Sequence, residues 1–181
     1  MVDYPVRHHR RSIRLADYDY SAEGGYYITI VTQRRACLFG EVVNGEIRLN
    51  DFGKIVWEEW FETEKLRPNI ELLEDEFVVM PNHVHGIIWI ENVTGRGAAR
   101  CAPTGGQYGV MIQNSLSTIA RAFKSAVTKR INILRNTPGA PVWQRNYYEH
   151  IINSEKDYYN IANYISSNPI NWDRDGENEN P

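Results

Sequence analysis

The sequence has two cysteines, Cys37 and Cys101, and no apolar run long enough to cross a membrane. The cysteines lie far apart and outside any Cys-x-x-Cys spacing, which argues against a disulfide framework or a thiolate zinc site. A transmembrane helix needs about 20 apolar residues, and the basic N-terminus is not followed by the apolar segment of a signal peptide. We therefore expect a cytoplasmic protein without a membrane-spanning segment.

The net charge of −3 hides an uneven distribution of charge along the chain. Residues 92–150 contain eight basic residues and a single acidic one, Glu149. Binding follows local charge more than total charge, so this segment favours contact with phosphates. The length predicts one catalytic domain over residues 25–172, with a basic arm at 1–24 and an acidic, flexible tail at 173–181.

Extended and helical patterns alternate in an order typical of an α+β fold. Strands are indicated by β-branched and aromatic runs, hairpins by Asn-Gly, and helices by apolar residues at helical spacing behind a capping residue. The predicted elements are a strand at 26–32, a hairpin turned at Asn44-Gly45, a helix at 51–66, extended runs at 70–80 and 84–91, a helix at 115–135, a strand at 147–152 and a helix between Ser154 and Pro169. This order predicts a ferredoxin-like (RRM-like palm) antiparallel sheet with helices mainly on one face.

The second helix and the segment before it carry seven of the eight basic residues of the 92–150 segment. The 23 residues at 92–114 are too long for an ordinary connection, so we expect them to be both mobile and functional. The helix at 115–135 is expected to bury Phe123, Val127 and Leu134 while its outer surface is basic.

Two histidines, His83 and His85, flank Val84 in an extended run. Side chains alternate faces along a strand, so both imidazoles point the same way and can converge on one ion. Imidazole together with oxygen ligands suits Mg²⁺ or Mn²⁺ in phosphate chemistry. A pair of structural histidines remains the alternative interpretation.

The last helix places Tyr164 and Asn168 one turn apart, on neighbouring positions of one face. The Asn168 carbonyl oxygen can serve as a third metal ligand. A tyrosine has a pKa of about 10, yet its phenol can attack a phosphodiester whose charge is neutralised by a metal. Packing of Tyr164 at the helix border is the alternative.

These residues carry a family resemblance. The His83-Val84-His85 motif followed by a helix with Tyr164-Ile-Ser-Ser-Asn168 resembles the HUH superfamily of single-strand DNA nucleases. More closely, the segments MPNHVHGIIWI, VWQRNYYEHII and YISSNP resemble the REP-associated tyrosine transposases, which are relatives of the insertion-sequence transposases with one catalytic tyrosine.

The resemblance implies a palm-like sheet and a divalent metal, Mg²⁺ or Mn²⁺, held by His83, His85 and Asn168. It also implies that Tyr164 attacks single-stranded DNA next to a hairpin or repeat, which leaves a 5′-phosphotyrosine link and a free 3′-hydroxyl. Transposase activity in DNA transposition and recombination is the function this predicts.

Contacts to DNA are predicted from basic, amide and aromatic side chains near the second helix and the following strand, because single strands require phosphate donors and stacking faces. The predicted residues are Arg121, Lys124, Trp143, Gln144, Arg145 and Tyr147. Ordinary core and rim positions are the alternative for the group around Trp143. His150 is a candidate for orienting a metal ligand or contacting DNA, with packing in a strand as the other interpretation.

Two further functions stay open at this stage. A domesticated, non-catalytic DNA-binding protein would keep recognition alone, and a metal-dependent hydrolase would use water and leave Tyr164 as packing. The sequence also leaves the oligomeric state open, and we expect a monomer rather than a homodimer.

Overall fold

The computed structural model describes residues 18–91 and 115–178. Most of the predicted basic arm, the predicted mobile segment at 92–114 and the last three residues of the predicted tail lie outside the described residues. The main elements are β1 (Gly24–Val31), β2 (Gly40–Val43), β3 (Glu46–Leu49), α1 (Asp51–Lys65), β4 (Ile70–Glu71), β5 (Phe77–Val79), β6 (His83–Ile90), α2 (Leu116–Leu134), β7 (Tyr148–Ile152) and α3 (Glu155–Ser167).

The sheet is antiparallel, with β1 at its centre and strand order β4-β6-β1-β7. Strand β5 also pairs with β6, and β2 and β3 form a separate hairpin. In this register Thr29 lies opposite His85 on one side and Tyr148 on the other. The α+β, ferredoxin-like architecture predicted from the order of elements is confirmed.

The two faces of the sheet carry different helices. Helices α1 and α2 pack on one face, where residues such as Trp60 and Phe123 meet Ile28 in the larger core cluster. Helix α3 packs on the other face, where Ile165 meets Tyr27 and neighbouring apolar side chains. Two of the three helices therefore share a face, and the third covers the face that bears the two histidines.

Local signals fix the ends of these elements. The side chain of Asn50 accepts hydrogen bonds from the backbone N–H groups of Phe52 and Gly53 at 2.9 and 3.0 Å, and so caps α1. The hairpin turns at Asn44 and Gly45, whose φ angles are +55° and +79°. Such positive angles at both central positions are the reason that Asn-Gly predicts this turn.

The extended run predicted at 70–80 is interrupted. A short 3₁₀ turn at Glu74–Glu76 separates β4 from β5. The turn carries the Glu76 side chain inward, where its Oε2 accepts a 2.7 Å hydrogen bond from Trp89 Nε1. The predicted burial of Leu134 is also wrong: its side chain is 56% exposed, and Ile131 is the last large apolar residue that α2 buries.

The predicted flexible tail is folded against the domain through Asn178. Arg35 donates to the carbonyl oxygen of Gly176 at 3.0 Å and forms an ion pair with Glu177 at 3.2 Å. Asp175, expected in a solvated segment, has a side chain only 2% exposed. Arg35 thus holds Glu177, and the Asp175 carboxylate accepts hydrogen bonds from the Asn168 side chain and the Glu177 backbone N–H. In the described part of the chain, no helix is both long and apolar enough to cross a bilayer.

Candidate metal centre and tyrosine site

The two histidines meet at their outer ring nitrogens. His83 and His85 lie on β6, point to the face covered by α3, and are almost completely buried. Their Nε2 atoms are 2.9 Å apart. This distance requires either a proton shared between the two nitrogens or a cation that accepts both lone pairs.

The tautomer of His83 is determined by Asn82. The Asn82 Nδ2 group donates to the carbonyl oxygens of Arg35, at 3.2 Å, and Glu177, at 2.7 Å. Its Oδ1 therefore faces His83 Nδ1, 2.7 Å away. An amide oxygen can only accept, so Nδ1 carries the proton and Nε2 of neutral His83 presents a lone pair to the site.

His85 has a more adaptable partner on its inner nitrogen. The hydroxyl groups of Tyr27 and Thr29 lie 2.8 and 2.9 Å from His85 Nδ1, and 3.1 Å from each other. A hydroxyl can donate or accept, so this pair satisfies Nδ1 with or without its proton. His85 can thus donate from Nε2 to His83, or hold its proton on Nδ1 and offer a second lone pair.

Burial keeps both imidazoles neutral. Loss of solvent lowers the pKa of His83 to about 4, although the Asp175 carboxylate and the Asn168 side chain act in the opposite direction. Burial, followed by the neighbouring His83, lowers the pKa of His85 well below its ordinary value. Neutral imidazoles are the form that binds metal ions.

Oxygen donors approach the histidine pair from α3 and from the tail. The carboxylate of Asp175 lies 3.8 Å from His83 Nε2, and one ligand atom from each of His83, His85 and Asp175 falls within 4.8 Å of the others. Asn168 Nδ2 donates to Asp175 Oδ2 at 3.0 Å. The other amide atom, Asn168 Oδ1, is buried without a hydrogen-bond partner among the described residues.

This donor set fits a divalent cation. Two imidazole nitrogens, a carboxylate and an unpaired amide oxygen match the ligands that Mn²⁺ and related ions take, and the carboxylate and amide also suit Mg²⁺. A buried acceptor without a partner costs about 1–3 kcal/mol, a cost that coordination of a cation by Asn168 Oδ1 would remove. His83, His85 and Asn168, predicted as ligands, are therefore brought together, and Asp175 joins them.

Tyr164 stands at the opening of this cluster. Its side chain is 46% exposed, and its ring centroid lies 5.1 Å from that of His85 at an interplanar angle of 67°. Tyr164, His85 and Asp175 line one pocket of about 290 Å³, together with Tyr27, Thr29 and Tyr148. Partial burial, together with the Asp175 carboxylate, raises the pKa of Tyr164, so its phenol is protonated at neutral pH.

A second, larger concavity lies on the opposite side of β7. It has a volume of about 970 Å³ and runs between α2 and residues 139–147. All six residues predicted to contact DNA line it: Arg121, Lys124, Trp143, Gln144, Arg145 and Tyr147. We call this concavity the basic groove.

Two of those six residues also have structural roles. Trp143 is 6% exposed and packs against Phe39 and Phe123, so its ring belongs to the core rather than to a stacking surface. The Lys124 ammonium donates to three backbone carbonyls, those of Gln144, Arg145 and Asn146, at 2.7 to 3.4 Å. Burial lowers the pKa of Lys124 to about 8, which leaves it mainly charged at neutral pH.

His150 bonds to a residue of α3 and to neither histidine of the pair, and its contact with DNA stays a prediction. Its Nε2 bonds to Asp157 Oδ2 at 2.8 Å, at the start of α3. The residues that contact the inner nitrogens of the histidine pair are instead Asn82, Tyr27 and Thr29. Strand alternation already placed Tyr27 and Thr29 on a common face, but only the register of β1 against β6 shows that this face meets His85.

Comparisons with known proteins agree with this architecture. An uncharacterized protein of Haemophilus influenzae is 43% identical over 175 residues, which cover 93% of this chain and 92% of that protein. This chain belongs to the same family. No protein-family model matches it.

A solved structure of a REP-associated tyrosine transposase bound to a REP hairpin superposes with a TM-score of 0.57. It is 21% identical and covers 88% of this chain and 73% of that one. The likeness shows a common fold and agrees with the family resemblance seen in the sequence motifs.

Proposed function

We propose that this chain is a transposase-like enzyme that processes DNA: a metal-dependent endonuclease and strand transferase for single-stranded DNA with Tyr164 as nucleophile. The observation that carries the proposal is the buried pair of imidazoles, 2.9 Å apart at Nε2, of which His85 lines one pocket with the half-exposed Tyr164. The transposase with the same fold is bound to a REP hairpin, so we extend the proposal to DNA cut next to a hairpin or repeat.

The site residues divide the chemistry between them. His83, His85 and Asn168 are the proposed ligands of Mg²⁺ or Mn²⁺, and Asp175 adds a carboxylate to this set. The bound cation supplies Lewis acidity and neutralises charge on the scissile phosphate. Asn82 fixes the ring of His83, and Tyr27 and Thr29 hold the ring of His85, so that both Nε2 atoms could offer lone pairs to a bound cation.

Tyr164 carries out the transfer. Its phenol oxygen bonds to phosphorus while the bond from phosphorus to the 3′ oxygen breaks; the phenolic proton passes to solvent, and the departing 3′ oxygen takes up a proton from solvent. The products are a 5′-phosphotyrosine and a strand with a free 3′-hydroxyl. Attack by a 3′-hydroxyl on the phosphotyrosine reverses these steps and joins strands, as strand transfer in transposition requires.

The basic groove supports DNA as the partner. Arg121, Lys129 and Arg145 are exposed around it, whereas its acidic lining residue is Glu149. Exposed guanidinium and ammonium groups contact phosphates irrespective of sequence, and they set affinity and position rather than specificity.

The test is a denaturing gel of labelled single-stranded hairpin DNA after incubation with Mn²⁺ or Mg²⁺. We expect wild type and Tyr159→Phe, a matched control at an exposed tyrosine on the same helix, to form a covalent adduct. Tyr164→Phe and wild type in EDTA should form none.

The other outcomes separate the remaining functions. Cleavage without an adduct in both wild type and Tyr164→Phe would indicate a hydrolase that uses water. Binding without cleavage over a wide range of hairpins would indicate a DNA-binding protein that lacks catalysis.

A further inference from the structure

Strand β7 forms the edge of the sheet and separates the two concavities. It pairs only with β1 in the described sheet, and its other side has no neighbouring strand there. Successive side chains of a strand point to opposite faces. Glu149 accordingly lines the basic groove, while Tyr148, the preceding residue, lines the pocket that holds Tyr164.

Tyr148 presents an aromatic surface at this crossing point. The side chain is 47% exposed, although it lies in a strand that packs against the core. Its ring meets the ring of Tyr27 in an edge contact, with centroids 6.1 Å apart and an interplanar angle of 68°. Tyr27 is itself stacked on His85, with centroids 5.7 Å apart. Tyr148 is therefore held in place next to the metal centre with about half of its surface left uncovered.

We infer that a single DNA strand passes from the basic groove over the β7 edge into the Tyr164 pocket, and that one of its bases stacks on Tyr148. The inference rests on the proposed function and adds a path and a binding residue to it. The exposed cations of the basic groove, Arg121, Lys129 and Arg145, match the phosphate backbone, while the groove-side residue of β7 itself is the acidic Glu149. The exposed ring on the pocket side matches an unpaired base, since any base can stack on an aromatic face.

The proposed path over the edge of β7 suits single-stranded DNA and not duplex DNA. Duplex DNA has a persistence length of about 50 nm and resists sharp bending, whereas the path turns around the edge of one β-strand. A hairpin stem can therefore lie along the basic groove, but the nucleotides between the stem and the scissile phosphate must be unpaired. Tyr148 would bind one of these nucleotides.

The test compares two probes in EDTA, where no cleavage occurs: a hairpin with a single-strand tail on either side of the stem, and the same hairpin without a tail. Binding is measured by fluorescence anisotropy for wild type, Tyr148→Phe and Tyr148→Leu. The matched control is Tyr159→Leu, at an exposed tyrosine that lines neither concavity.

Loss of the ring should weaken binding of the tailed hairpin by about fivefold to 150-fold, the usual range for one stacked base. Tyr148→Phe keeps the ring and should stay within about twofold of wild type. Binding of the tailless hairpin should be the same in all variants. A fluorescent adenine analogue in the tail should be quenched by wild type and by Tyr148→Phe, and not by Tyr148→Leu.

Equal affinity of wild type and Tyr148→Leu for the tailed hairpin would overturn the inference, as would an equal loss for both probes. The proposed function is distinguished by the adduct assay. If Tyr164 forms an adduct but Tyr148→Leu binds as wild type does, the path over β7 is contradicted and the proposed function is not. If wild type binds the tailed hairpin no more tightly than the tailless one, the path over β7 is contradicted even if the DNA is cleaved.

Discussion

The hydroxyl groups behind His85 should control metal affinity. In the form with a hydrogen bond between the histidines, His85 Nε2 donates to His83, and Nδ1 accepts from Tyr27 or Thr29. A cation needs both Nε2 lone pairs, so the His85 proton must move to Nδ1. Only a hydroxyl oxygen is then available as acceptor, and the 3.1 Å contact between the two hydroxyls lets them reorient together.

The expected loss of metal affinity depends on the presence of two hydroxyl groups near His85 Nδ1. Either hydroxyl can accept from Nδ1, at 2.8 or 2.9 Å, so Tyr27→Phe or Thr29→Val alone should weaken metal binding by only about threefold. The double variant leaves the buried N–H without a partner. We expect it to lose about 10- to 100-fold in affinity, the range seen when partners of ligating histidines are removed. The effects should therefore be non-additive.

The assay is a calorimetric titration of metal-free protein with Mn²⁺, which requires no DNA. Tyr26→Phe and Thr63→Val are matched controls: Tyr26 bonds to Ala22 on the other side of the sheet, and Thr63 bonds to its own helix. Nitrogen chemical shifts of the ring report the His85 tautomer before and after metal addition. A folded double variant that binds Mn²⁺ within twofold of wild type would refute the reasoning.

Three other changes test the fold around the site. Gly86→Ala should lower the free energy of unfolding by about 1–3 kcal/mol, because a Cβ at Gly86 would lie 2.5 Å from a Trp60 ring carbon; denaturant unfolding measures the loss. Lys124→Met should lower the free energy of unfolding by about 1–3 kcal/mol and increase hydrogen exchange in residues 144–146, since three carbonyls lose their donor. Unchanged exchange would show that Lys124 does not hold this segment. The hydrogen bond from His150 lowers the pKa of Asp157, so its stabilising effect should be present near neutral pH and lost as the carboxylate is protonated below about pH 4. The difference in thermal stability between wild type and Asp157→Asn should therefore disappear in acid, and a constant difference would contradict this.

Local patterns were sufficient to predict most elements of this fold. Asn44-Gly45 needs no tertiary contact to favour a hairpin turn, and Asn50 and Ser154 cap helices through their own backbone neighbours. The order of elements then limits the topology, because short connections and antiparallel pairing leave few arrangements. The inward position of Glu76 could not be predicted from local patterns, because it depends on a hydrogen bond from Trp89 in another strand.

The candidate site was predictable where sequence spacing determines geometry. His83 and His85 are two residues apart on a strand, and Tyr164 and Asn168 are one helical turn apart. Asp175 could not be found in this way, since its segment is acidic and polar and is typical of a solvated tail. The segment is held through the neighbouring Glu177, which contacts Arg35 and Asn82, residues more than 90 positions away in sequence that meet it only in the folded chain.

The site buries polar groups that lower the stability of the fold, which indicates that these residues serve a function. Two buried neutral imidazoles face each other, a carboxylate is almost fully buried, and Asn168 Oδ1 is buried without a described partner. Apolar side chains of similar volume would often be at least as stable as such a polar cluster. Departures from packing rules are expected where a ligand compensates them. Because β1, β6, α3 and the tail each contribute a group, only the complete fold creates a site in which a bound cation would offset these costs beside Tyr164.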